Sequence, residues 1–209
     1  MVVENIEAFN IEGALRGMRN PMNSWDKSDS IRYNDGTFKI GENDLALAHK
    51  LIEAGSEHRK FMRQIMACFD VTAPLYLWKE FSTYKVATTA NSCSTMHKIH
   101  SKPIEIDDFE INDMARFELK NLEAVVEMCE EYRKKFVETK DKKYWKALIR
   151  LLPESYLQKR TITMSFETLY NLVRQRRGHK LTEWKTFIDS IRKNLYYAEE
   201  LIFHGYDNK

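Results

Sequence analysis

Cysteine is scarce in this chain, and so is any excess of charge. Three cysteines, Cys68, Cys93 and Cys129, are scattered over 209 residues. They are too few and too far apart for a disulfide framework or a zinc site, and they fit a reducing compartment. Lysine and arginine number 33 against 31 acidic residues, a formal net charge of +2. Bulk electrostatics therefore call for neither a nucleic acid polymer nor an anionic membrane, and neither is expected as a partner. No apolar run approaches the ~20 residues of a membrane-spanning helix. The opening MVVENIEAFN carries acids and no long apolar core, so no signal peptide is expected. Repeats and low-complexity segments are missing too. A cytoplasmic protein is expected.

What is present suits one globular domain: 43% of residues are apolar and 31% are charged. Val2–Phe9 reads as an edge strand and 13–19 as a short helix that stops before Pro21. Residues 20–41 are rich in Asn, Asp, Ser and Gly and read as a long loop, or as a hairpin around the Asn34–Gly36 turn. Leu45, Ala48, Leu51 and Ile52 share one face of a helix over 43–54, closed by Gly55. An apolar run at 64–71 has strand length, with a helix as the alternative. Thr72 is expected to cap a helix over 75–84 with Pro74 in its first turn. The clearest signal is at 117–137, where Leu119, Leu122, Val126, Cys129, Tyr132 and Phe136 recur at spacings of three and four. Asp141 is expected to cap the next helix, which ends before Pro153. A short strand or bend at 161–164, a helix at 166–176 ended by Gly178, and a helix at 183–192 capped by Thr182 complete the reading.

Two segments carry the chemistry. In the first, TAPLYLWKEFSTYKVATTANSCSTMH over 72–97, an aromatic helix runs into Thr88, Thr89, Asn91, Ser92, Ser94 and Thr95. That patch has no Gly or Pro, so it is not an ordinary turn. Its hydroxyls and amides suit a polar ligand, although the same groups can cap helices or line a loop. Cys93 near His97 and His100 could make a thiolate–imidazole pair, but an isolated Cys is more often a small hydrophobe. His97 and His100 are the one close histidine pair among six. No carboxylate accompanies them, and no metal site is expected. In the second segment, Arg174 and Arg177 are three apart on one helix face and could clamp an anion. The bland alternative is a solvated basic face at a helix C-terminus.

In order and spacing these two segments resemble the flavin-dependent thymidylate synthases. That family carries Arg-His-Arg-x-x-Ser-x-Asn-Glu-x-Ser-x-Arg-Tyr. Here the Ser/Thr-x-Asn-x-x-Ser skeleton survives as Thr89, Asn91 and Ser94. The family's downstream Leu-Pro, Thr-bearing strand, Leu-Arg helix and Trp-bearing helix correspond to Leu152-Pro153, Thr161-Ile162-Thr163, the helix from Leu172 to Arg177, and Glu183-Trp184. Departures are clear: Tyr84-Lys85-Val86 replaces Arg-His-Arg, Ser92 replaces the glutamate, and Met96-His97 replaces Arg-Tyr. The resemblance covers 45–97 and 148–190.

The resemblance implies an α/β domain of α+β type, with a central antiparallel sheet and a helical lobe. All of 1–209 would form that domain, with 102–147 as the lobe. It implies a homotetramer that methylates dUMP or a related pyrimidine nucleotide, using FAD, NADPH and methylenetetrahydrofolate. Arg177 would be the catalytic arginine, with Arg174 and Arg176 as rivals. Ser92, Ser94, Arg174 and Arg177 would meet the nucleotide, and Lys85, Thr89 and Asn91 the flavin. The alternatives are a degenerate relative that keeps binding or assembly only, and a helical interaction protein built around 117–137.

Overall fold

The computed structural model describes residues 1–207. Strands β1 (Val2–Phe9), β4 (Met66–Pro74), β5 (Thr88–Ser92) and β6 (Leu157–Ser165) form an antiparallel sheet in the order β1-β4-β6-β5. A separate two-stranded sheet pairs β2 (Ile31–Arg32) with β3 (Phe38–Lys39). The helices are α1 (Ile11–Met18), α2 (Glu42–Glu53), α3 (Leu75–Phe81), α4 (Arg116–Thr139), α5 (Lys142–Leu151), α6 (Phe166–Gln175) and α7 (Thr182–Asn194). The expected mixed fold with an antiparallel sheet is the one observed.

The chain packs as two compact units. The first holds Met1–Val2, Val71–Thr83 and Asn91–Thr161. Within it, α4 and α5 form a helical hairpin. Their apolar stripes close on Ile99, Ile104, Phe109, Leu122, Val126, Cys129 and Leu148. Burial pushes the Cys129 thiol up to about 11, so it behaves as a hydrophobe. Asp141 caps α5 by accepting from the Lys143 N–H at 2.9 Å. Glu130 ties the preceding loop to α4, accepting from the Ile104 N–H at 3.0 Å and from Arg133 at 2.6 Å.

The entry to α3 differs from expectation. Thr72 does not cap it, because β4 continues to Pro74. Buried Ala67, Phe69, Val71 and Ala73 keep a period of two along that strand. Pro74 is itself the N-cap and no side chain caps the helix. The leading N–H groups of Leu75 and Tyr76 bond instead to the carbonyls of Tyr156 and Glu154, at 3.1 and 3.2 Å.

The second unit holds Val3–Asp70, Tyr84–Ala90 and the chain from Ile162 onward. Trp184 packs edge-on to Phe187, and Phe187 to Phe69, with ring centroids 6.0 and 5.5 Å apart. A buried ion pair joins Arg19 to Asp44 at 2.5 Å. Burial raises the Asp44 carboxyl, but hydrogen bonds from Ser30, Ser28 and Arg19 outweigh it and hold the group below its ordinary value. Residues 31–39 form the hairpin, with Asp35 accepting from the Thr37 N–H and hydroxyl. Gly36 has φ +88° there, which a side chain would strain. Thr182 is the first residue of α7 rather than its cap, and no side chain caps that helix.

Candidate functional site

In the second unit, segment 84–87 is pinned alongside α6. Ser165 caps α6 by accepting from the Thr168 N–H at 3.2 Å. The Thr168 hydroxyl donates to the Val86 carbonyl at 2.8 Å, and the Ser165 N–H to the Ala87 carbonyl at 3.1 Å. Ala87 sits at φ +48°, a left-handed conformation rare for a residue with a Cβ. Lys85 and Thr89 are exposed.

At the C-terminal end of α6 the three arginines have three different surroundings. Arg174 is half-buried and committed. It donates to the carbonyls of Ile202 and His204 at 2.7 Å each, and to Tyr170 at 3.3 Å, with its guanidinium 3.4 Å from the Tyr170 ring centroid. Burial lowers its pKa, yet an arginine stays charged at neutral pH. Arg177 is exposed, bonds the Tyr206 carbonyl and lies over that ring at 4.8 Å. Arg176 is half-buried against two aromatic rings that touch each other, 4.9 Å from Trp184 and 5.4 Å from Tyr84. It lines a cavity of about 380 Å³ with His179, Thr182, Lys185, Arg192 and Tyr206. His179 is oriented there by accepting from the Leu181 N–H at Nδ1, at 3.1 Å. Arg192 is neutralised by Glu199 and Asp207, at 2.7 and 2.6 Å.

In the first unit, Asn91 and Ser92 end strand β5 and are exposed. They belong to the hydroxyl-rich patch, four of whose six residues are therefore strand. The Cys93 N–H donates to the Lys159 carbonyl at 2.9 Å, and Gln158 donates to the Cys93 carbonyl at 2.6 Å. Ser94 then organises a turn, its hydroxyl oxygen accepting from the N–H groups of His97 and Met96 at 2.9 and 3.3 Å. Its own O–H stays available to donate. His100 packs edge-on to Phe136 at 4.8 Å, and no hydrogen bond joins Cys93 to either nearby histidine. Among the described residues, no three His, Cys, Asp or Glu side chains group to hold a metal ion. Also among them, no helix is long and apolar enough to cross a membrane.

Two constellations escaped the sequence reading. Arg59 and Arg63 both grip Glu167, the former at 3.2 Å, and Arg59 reaches Asn171 at 3.3 Å. Tyr170 is thereby flanked by two guanidiniums, since Arg59 lies 4.4 Å from its ring centroid. His49 and His204 stack with centroids 3.7 Å apart and planes at 10°. Their partners lie 104 to 155 positions away in sequence, so no local spacing announces either group.

No family model matches this chain, and no curated protein matches it. Solved structures do. One is a flavin-dependent thymidylate synthase, ThyX, from Helicobacter pylori in complex with FAD and dUMP. It has a TM-score of 0.68 at 16% identity, covering 97% of this chain and 98% of that one. Another Helicobacter pylori ThyX structure with FAD and dUMP has a TM-score of 0.70 at 17% identity, covering 97% of both chains. At that identity the likeness is one of fold, and the fold of this chain is that of a flavin-dependent thymidylate synthase over nearly its whole length.

Proposed function

We propose that this chain binds FAD and a pyrimidine nucleotide and methylates dUMP, or a related nucleotide, with reduced FAD and a folate carbon donor. The observation that carries this reading is the full-length likeness to structures that hold FAD and dUMP together. Arg176 supplies the centre for the chemistry. A guanidinium held against Tyr84 and Trp184, beside a cavity, offers fixed positive charge to a pyrimidine ring as negative charge develops on it. Its surroundings suit that role better than those of Arg177, which is exposed to screening water, or Arg174, whose donors are committed to three carbonyls.

Arg174 then acts by holding the C-terminal segment in place. Ser92 and Ser94 offer hydroxyls to the nucleotide, with Arg177 as an exposed cation for its phosphate. Lys85, Thr89 and Asn91 present a cation, a hydroxyl and an amide, a donor set that fits the pyrophosphate and polar ring edge of a flavin. Bound flavin would supply the reducing step, recharged by NADPH, and methylenetetrahydrofolate the carbon. The active form would be a cytoplasmic homotetramer, each chain a single domain with 102–147 as its helical lobe.

A second reading is a relative that binds without turnover. Ser92 and the exposed Met96 stand where the family has a carboxylate and a guanidinium, so a dianionic phosphate meets fewer charged partners. One experiment separates the two. Purified protein is titrated with FAD and then dUMP by absorbance, and assayed for methyl transfer with NADPH and methylenetetrahydrofolate. A flavin band perturbed by dUMP, with methylated product, is the proposed outcome. Flavin binding without product supports the second reading, and no flavin binding contradicts both.

A further inference from the structure

We propose that the solvent face of the α4–α5 hairpin is a docking surface for nucleic acid, one that grips the phosphate backbone without reading bases. The chain as a whole is close to neutral, but its charge is unevenly placed. Residues 133–150 hold eight lysines and arginines against two acids, which leaves the rest of the chain acidic by four. Helix α5, KKYWKALIRL, contains four of those cations and no acid. Lys142, Lys146 and Arg150 recur every fourth residue and are all exposed. Among the described residues no ion pair engages them, whereas Lys185 on α7 has Asp189 four positions on.

Helix stability does not account for this placement. Lys142 occupies the first turn of α5, where the helix dipole disfavours cations, and only its neighbour Lys143 is paired there, with Asp141 at 3.0 Å. Like charges four apart repel as well. An external polyanion removes both penalties. The three cations are spaced about 6 Å apart along the helix axis, close to the ~7 Å that separates every second phosphate of one DNA strand. Lys134 on α4 is 70% exposed but lies 3.8 Å from Glu130, so α5 supplies the unpaired charge.

A membrane surface fits less well. Leu148 is buried, and Trp145 is partly buried on the side of α5 that closes the hairpin's own apolar cluster. Ile149 is the apolar residue on the face of α5 that carries Lys142 and Lys146, and it is partly buried, which leaves little apolar surface there to enter acyl chains.

The test uses the full chain and a fluorescein-labelled 30-nucleotide mixed-sequence DNA, single-stranded and duplex, read by fluorescence anisotropy at 50 and 200 mM KCl. Three phosphate contacts predict binding whose log affinity falls with log salt at a slope of about −2 to −3. K142E/K146E/R150E should weaken binding at least tenfold. K39E/K50E/K193E, an equal charge change elsewhere, should stay within twofold of the parent. If charge reversal disturbs folding by circular dichroism, K142Q/K146Q/R150Q replaces it, with a loss of at least threefold expected. Three results would overturn the proposal: no anisotropy change for the parent at 50 mM KCl, equal losses in both triple variants, or sedimentation with phosphatidylserine vesicles while the DNA stays unbound.

Discussion

The α4–α5 and α6–α7 helices are both amphipathic and rich in cations, yet they use those cations in opposite ways. Around α6–α7, arginine predominates and each guanidinium has a job inside the protein. Arg174 holds carbonyls, Arg176 stacks on rings, and Arg192 binds two carboxylates. On α5, lysine predominates and the charges stand in water. The contrast follows from the side chains. A planar guanidinium is weakly hydrated and can stack and donate in several directions, so it tolerates partial burial. A lysine ammonium is strongly hydrated and buries only its stem. Substitutions at α6–α7 should therefore damage the fold or the site, and those on α5 should leave both intact.

Trp184→Ala should have the largest effect. The side chain is fully buried and touches Phe187, Tyr84 and Arg176, and its loss should lower stability by about 3–5 kcal/mol in urea denaturation. Equal stability in the variant would mean that these rings are not a core. Arg174→Met comes next. It strands the carbonyls of Ile202 and His204 and should cost about 2 kcal/mol. Hydrogen exchange should rise first over 198–206, and uniform exchange would break the assignment of Arg174 as a strap.

A smaller, pH-dependent effect is expected at the stacked histidines. Burial, reinforced by the neighbouring His204, lowers the pKa of His49 below 6.5, and Glu53 and Glu200 only partly oppose this. The unfolded chain then binds the proton more readily. The contribution of His49 is complete above about pH 6.5 and lost as pH falls through its folded value. His49→Gln, which keeps a donor for the Glu200 carbonyl, should show a smaller drop in Tm between pH 7.5 and 5.5 than the parent. An unchanged drop would assign the acid sensitivity to other groups. Smallest of all, Lys142→Gln, Lys146→Gln and Arg150→Gln should each move stability by less than about 0.5 kcal/mol. A larger loss from any of them would mean that α5 depends on its lysines for folding.

The comparison also indicates what a sequence reveals. Helix α4 was legible because Leu122, Val126 and Cys129 repeat at helical spacing and all three are buried. The 31–39 hairpin was legible in its Asn-Asp-Gly turn. The boundary at Thr72 was not, since the N–H groups at the start of α3 are satisfied by a loop some 80 residues on. The three arginines at and just beyond the C-terminal end of α6 were legible as a basic cluster, but their ranking was not. Which guanidinium stacks and which is spent on carbonyls depends on Tyr84, Trp184 and the 202–206 segment, all brought in by tertiary packing. The Arg59–Glu167–Arg63 group lay outside any local pattern for the same reason.

The most direct test of the account is the flavin absorbance of the parent, Arg176→Met and Arg177→Met after loading with FAD, each titrated with dUMP. The account predicts a flavin band in all three, perturbed by dUMP in the parent and in Arg177→Met but not in Arg176→Met. A response that survives in Arg176→Met and vanishes in Arg177→Met would contradict it, as would a parent protein that takes up no flavin.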